Sequence, residues 1–175
     1  MRMDSLLMVE RINEVETMCD RYNPVYEQIS GFSIALYVIG CFDSQDLISV
    51  NDLDDFDAAD FLKENFEEIS KMDIAPGYKM TENGKRYLVV LGDPELPKHF
   101  AVITDLESKR PFFSKLKYLG SGYDTLEELI NEYQDEGVTG YEDVHYFQLK
   151  EDLRSQARSS QEKWEIPTLL YATNM

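Results

Sequence analysis

The densest set of potential metal ligands in the chain is Asn51-Asp52-Leu53-Asp54-Asp55-Phe56-Asp57-Ala58-Ala59-Asp60. Hard oxygen donors at this density suit Mg²⁺ or Ca²⁺. A calcium loop also needs a glycine at its sixth position and a glutamate at its twelfth. Counted from Asp52, the fifth position is Phe56 and the twelfth is Lys63; counted from Asp55, they are Ala59 and Phe66, and neither register has the glycine. The cluster therefore reads as a solvated acidic cap, and no metal ligand is assigned. A divalent-metal-dependent enzyme using residues 52–60 is the remote alternative.

Other catalytic chemistry is sparse. The two histidines, His99 and His145, each fall in a strand-like segment beside aromatic residues and read as packed or surface side chains rather than bases. Gly120-Ser121-Gly122 lacks the lysine of a P-loop and the third glycine of a dinucleotide fingerprint. Asp124, Glu127 and Glu128 follow it closely and would repel an anion, so it reads as a flexible turn. No serine lies in a GxSxG context. Cys19 and Cys41 are 22 residues apart with no CxxC pair, as expected of reduced, buried thiols. No catalytic residue and no cofactor is assigned, and the chain is not expected to be an enzyme.

What remains is charge. Residues 43–73 hold eleven Asp and Glu against Lys63 and Lys71, a balance of −9. Residues 123–143 hold eight acids and no base, a balance of −8, so the two stretches account for the whole net charge of −17. That exceeds the roughly 2–8 charges that keep a small domain soluble. Charge concentrated in this way bears on the partners a protein meets rather than on its fold.

The elements that must position these acids follow from periodicity. Leu6, Val9, Ile12, Val15, Cys19 and Tyr22 predict a helix over 4–22, ended by Pro24. Residues 25–42 fit either a strand or a helix, and the stripe Tyr26, Ile29, Phe32, Leu36 and Ile39 favours a buried helix. A third helix is expected over 57–72, with Phe61, Leu62, Phe66 and Ile69 as its apolar seam and Asp54, Asp55 and Asp57 at its positive end. Strand-favouring runs at 87–91 and 100–104, with Asn83-Gly84 between Tyr78–Met80 and Tyr87, predict an antiparallel meander. Val144–Leu149 is expected to add a fourth strand. Asp124 and Glu127 read as the capping box of a helix whose outer face carries Glu127, Glu128, Glu132, Asp135 and Glu136. A polar C-terminal helix over 151–163 and an apolar tail from Trp164 to Tyr171 complete the chain.

The expected fold is α+β: N-terminal helices, then a small antiparallel sheet of three to four strands with one amphipathic acidic helix packed on it, and a C-terminal helix. A single domain over 1–175 is expected, with a mainly helical part (1–76), a sheet-plus-helix part (77–150) and a C-terminal helix and tail (151–175). A hydrophobic content of 43% and an aromatic content of 12% exclude a disordered acidic chain. The longest apolar run, Ile34–Phe42, is far short of the ~20 residues of a membrane span. No signal peptide is visible, so a cytoplasmic protein is expected.

Tyr78-Lys-Met-Thr-Glu-Asn-Gly-Lys-Arg-Tyr-Leu88 resembles the Y-x-L-T-x-x-G-x-x-Y-L segment of many winged-helix transcription regulators. The resemblance implies a recognition helix just before it. The helix expected there carries Asp60, Glu64, Glu67 and Glu68 on its outer face, where phosphates would be repelled, so direct nucleic-acid binding is not expected. In size, charge and lack of catalytic residues the chain also resembles the small acidic proteins that block restriction, CRISPR or transcription machinery by imitating a polyanion.

The functional expectation is a non-enzymatic acidic inhibitor, of the phage anti-defence or nucleic-acid-mimic type, that occupies a basic, nucleic-acid-binding surface of a protein partner. Its binding face would comprise Asp52, Asp54, Asp55, Asp57, Asp60, Glu64, Glu67, Glu68, Glu127, Glu128, Glu132, Asp135 and Glu136, aligned as one anionic surface. The alternative is an adaptor, immunity or regulatory protein with an incidental acidic surface. The tail is expected to dock on its own core, or else to hold a homodimer.

Overall fold

The computed structural model describes residues 3–24, 29–41 and 53–150. Helix α1 (Met3–Met18) buries Met8, Ile12 and Val15 on one side, the three-and-four spacing of an amphipathic helix. It ends four residues sooner than its periodicity suggests. Cys19–Asp20 and Asn23–Pro24 form two short paired strands, β1 and β2, and Tyr22, expected on the buried stripe, stands 94% exposed in the turn between them.

Tyr26 of the expected stripe lies outside the described residues, and helix α2 (Gly31–Ile39) makes the centre of the ambiguous segment a helix. Ser30 caps it by accepting the Ser33 N–H, and Gly40 ends it at φ 102°, a left-handed conformation that glycine adopts without strain. Residues 33–39 are all buried, so the run is apolar on every side because both the sheet and α1 cover it.

Helix α3 (Asp55–Asn65) starts as expected, with Asp54 accepting the Asp57 N–H at 2.8 Å. It then stops seven residues early. Residues 66–69 form β3 (Phe66–Ile69) instead, an edge strand in register with β8 (Val144–Leu149) through Phe66↔Leu149 and Glu68↔Phe147. The apolar residues Phe66 and Ile69 fit a helical seam in sequence, but pairing with β8 claims this backbone.

The expected small antiparallel sheet is incorrect. The described residues form one eight-stranded mixed sheet of order β2-β1-β7-β6-β5-β4-β8-β3. Its middle is β4 (Tyr87–Leu91), β5 (His99–Ile103), β6 (Phe112–Lys115) and β7 (Ser121–Asp124), all antiparallel neighbours. The parallel pair is β1 with β7, at Asp20↔Ser121. Strands β6 and β7 have no alternating signature in sequence, since β6 is buried on both faces. The meander is also incorrect in its first strand. Lys79 bridges Asp105, with Met80 N–H donating to Thr104 O and Leu106 N–H to Tyr78 O. Asn83-Gly84 therefore makes no hairpin with Tyr87, and the winged-helix-like segment 78–88 builds no wing. Both edges of β4 are already filled, by β5 and β8.

Helix α4 (Leu126–Glu132) begins one residue later than expected. Thr125 is the cap, accepting the Glu128 N–H while Glu128 accepts the Thr125 N–H. Asp124 instead ends β7 and takes a two-pronged ion pair from Arg21 at 3.0 and 3.1 Å, fastening the β1 turn to β7. Gly137 follows a short 3₁₀ turn at φ 96°. The C-terminal helix and the tail lie outside the described residues, as do the dimer contacts assigned to them.

Residues opposite one another in an antiparallel ladder share a face. Glu68, Phe147, Leu88, Val102 and Phe113 therefore lie on one side of the sheet. Phe32 of α2 packs edge-on against Phe100 on that side, and Leu62 of α3 shares a cavity with Phe66 and Phe147. Leu126 of α4 meets Phe112 and Tyr146 on the other side. Phe100 and Phe113, fully buried between these layers, each contribute about 1.5–3 kcal/mol by leaving water. No described helix is long and apolar enough to cross a membrane.

Candidate functional site

The sheet separates the two acidic groups. Asp54, Asp55, Asp57, Asp60 and Glu64 belong to α3 on one face, while Glu127, Glu128 and Glu132 belong to α4 on the other, with Asp135 and Glu136 in the 3₁₀ turn after it. Glu67 and Glu68 lie on edge strand β3 rather than on a helix, and strand alternation turns them to opposite faces. Asp52 lies outside the described residues. Asp55 and Glu136 both line a cavity at one end of the sheet, but the remaining described carboxylates do not line up as one continuous face.

The two groups also differ electrostatically. On α3, Ala58 and Leu62 turn inward, leaving Asp57, Asp60 and Glu64 exposed at three- and four-residue steps. None of these three, nor Glu67, has a cationic partner among the described residues. Glu68 meets His145 Nδ1 at 3.0 Å. Two bases lie nearby: Lys63, itself exposed on the last turn, and Lys150, whose Nζ donates to the Glu64 carbonyl at 3.3 Å.

On the α4 side the acids are occupied. Arg110 grips Glu128 with Nε and Nη2, both at 3.0 Å. That guanidinium, followed by the Thr125 amide, holds the Glu128 carboxyl down at about 2. The Tyr141 hydroxyl donates to Glu127 and lowers its pKa as well. Lys117 pairs with Glu136 at 3.2 Å. Glu132 and Asp135 are exposed. Each of these cations comes from a loop distant in sequence, so the stretch 123–143 reads as bare acid in one dimension and is partly neutralised in three.

The Asp cluster at 52–60 is used differently from a metal loop. Asp54 is spent on the helix cap, and Asp55 lines a cavity beneath the start of α2. Among the described residues no group of three or more His, Cys, Asp or Glu side chains is placed to hold a metal ion. Gly120-Ser121-Gly122 is not a flexible turn. Ser121 Oγ donates to Cys19 O at 2.9 Å, and a Cβ on Gly120 would lie 1.7 Å from Asp20 O, so this segment docks the end of α1 against β7. Cys19 is buried, Cys41 is half-buried, and neither is bridged.

Sequence reasoning missed one polar centre. His99, at the start of β5, is buried and stacks on Tyr133 with ring centroids 4.5 Å apart. The Tyr133 hydroxyl lies 2.9 Å from His99 Nδ1 and accepts the Lys117 N–H at 3.1 Å. Burial, aided by the nearby charges of Arg21 and Lys115, pushes the imidazole pKa down to about 3. His99 is thus a neutral, fixed ring. Its only sequence signal is a histidine beside Phe100 in an apolar strand.

Comparison with known proteins finds no matching family model, no matching curated protein and no matching solved structure.

Proposed function

We propose that this chain is a non-enzymatic binding protein of the cytoplasm that engages a basic, nucleic-acid-handling surface of a protein partner through the α3–β3 end of its sheet. The observation that carries this reading is the bare state of Asp57, Asp60 and Glu64, which project from one helix without ion-pair partners among the described residues; Glu67 is equally bare on the adjoining edge strand but is turned to the other face of the sheet. Unpaired carboxylates at helical spacing steer a cationic partner and pair with its Lys and Arg, giving association that weakens with salt. The charged edge also resists strand addition by other chains, which leaves electrostatic docking as the mode of engagement. The α4 acids contribute less, because Arg110 and Lys117 already occupy Glu128 and Glu136. An inhibitor that blocks a nucleic-acid groove needs one such surface, not two.

A second reading is an adaptor, immunity or regulatory protein whose acidic surface is incidental. The placement of the two acidic groups on opposite faces of the sheet favours it. The readings separate when Asp57, Asp60 and Glu64 are changed together to Lys and capture of basic proteins is compared with wild type at low and high salt. Loss of capture supports the first reading, and unchanged capture supports the second.

A further inference from the structure

A cavity of about 310 Å³ opens where β5 begins and β6 ends, against the first turn of α2. Its chemistry contrasts with that of an acidic protein. Lys98, Lys115 and Lys117 all line it, against Asp55 and Glu136, and Glu136 is already paired with Lys117. Lys98 has no ion pair with a described residue. The positive end of α2 also faces the cavity through Gly31 and Phe32. The Ser30 cap takes the Ser33 amide, leaving the first two amides of the helix outside the capping bond.

The second observation is independent of the helix. His99 is only 2% exposed and lines the same cavity, yet its Nε2 has no hydrogen-bond partner among the described residues. Its protonation follows from the neighbours. Tyr133 Oη accepts from the Lys117 amide and has His99 Nδ1 as its other hydrogen-bond partner among the described residues, so its own proton is used when it is donated to Nδ1. In a neutral ring Nδ1 is then the acceptor and Nε2 carries the hydrogen. A buried N–H without an acceptor is costly, and such a group in a native fold calls for an explanation.

We propose that this cavity binds a small oxyanion, a phosphate or carboxylate group, which accepts hydrogen bonds from His99 Nε2–H and the Gly31 and Phe32 amides and is neutralised by Lys98. Backbone amides at a helix start together with a lysine form a recurrent cradle for such groups. The oxyanion supplies the acceptor that the imidazole lacks. An oxyanion also supplies a counter-charge for Lys98, which has no ion pair with a described residue, and a water molecule would not.

The test uses the full-length protein labelled with ¹⁵N, read through its imidazole resonances. The chain has two histidines, and His145, on β8 beside Glu68, is the internal control. Inorganic phosphate and acetate are titrated separately against chloride at constant ionic strength. The proposal expects His99 to carry its hydrogen on Nε2 and that signal to shift saturably with one of the two anions while His145 stays still. Lys98→Glu, at a half-buried position, should weaken binding about tenfold or more, since a charge-assisted hydrogen bond becomes a repulsion. The proposal is overturned if neither anion moves His99, if both histidines drift together without saturation, if His99 carries its hydrogen on Nδ1, or if Lys98→Glu leaves the affinity unchanged.

Discussion

Replacing His99 by Gln should make stability depend less on pH between about 7.5 and 5. In the folded chain the imidazole titrates at about 3, against an ordinary value of 6.5. Because the folded pKa is depressed, the contribution to stability is complete above the unfolded pKa and is lost as pH falls toward the folded one. The unfolded chain binds a proton that the native state refuses, so stability falls with acidification by up to ~1.4 kcal/mol per pH unit. Near pH 5 the loss is about 2 kcal/mol, and it depends little on the folded value as long as that lies well below 5. The full difference of 3.5 units would be about 5 kcal/mol below pH 3, a large part of a typical 5–15 kcal/mol total. Urea unfolding of wild type and His99→Gln at about pH 7.5 and about pH 5 reads the effect as a difference of differences. Relief of repulsion among the carboxylates occurs in both proteins and cancels. The variant also loses ring stacking on Tyr133, which lowers its stability at both pH values without changing the slope. Parallel pH dependence in the two proteins, or direct titration of His99 near 6.5, would refute the reasoning.

Two further predictions concern the ties that hold the fold. Gly120→Ala places a Cβ 1.7 Å from Asp20 O, a backbone clash that no rotamer relieves. It should separate β1 from β7 and lower stability by about 2 kcal/mol or more, read as a drop in melting temperature. Glu128→Gln tests the Arg110 clamp. The carboxyl is held at about 2 against an ordinary 4.5, so its stabilisation is complete above 4.5 and lost as pH falls toward 2. The variant should show a shallower decline of melting temperature in that acid window, and an unchanged profile would mean that the clamp does not hold in solution.

Much of the fold was legible where local pattern and tertiary pairing agree. The spacing of Ile12 and Val15, the stripe of Phe32, Leu36 and Ile39 and the β-branched runs of β4 and β5 each point to the element that forms. The failures share a cause. Phe66 and Ile69 satisfy a helical period, but β8 offers a partner from about eighty residues away and takes them into the sheet. Asn83-Gly84 is a sound hairpin signal, but β4 has both edges filled by β5 and β8. Asp124 is as good a cap as Thr125 until Arg21 arrives from the far end of the chain.

The candidate site was legible as composition and not as geometry. Asp60 and Glu64 face outward and Leu62 inward, as sequence reasoning expects; Ala58 joins Leu62 on the buried side. Arg110 and Lys117 reach Glu128 and Glu136 from 18 and 19 residues away, a separation that no helical or strand period encodes. Which side of the sheet each helix covers is likewise set by strand order, and strand order is a property of the assembled chain.

The account rests on the α3–β3 end being the surface that meets a partner. The most direct measurement compares three immobilised proteins, wild type, Asp57→Lys/Asp60→Lys/Glu64→Lys and Glu128→Lys/Glu132→Lys/Glu136→Lys, for capture of basic nucleic-acid-handling proteins at low and high salt, after circular dichroism shows that all three are folded. The prediction is capture by wild type that fades with salt, loss in the α3 variant, and retention in the α4 variant. Equal capture by wild type and the α3 variant would contradict it.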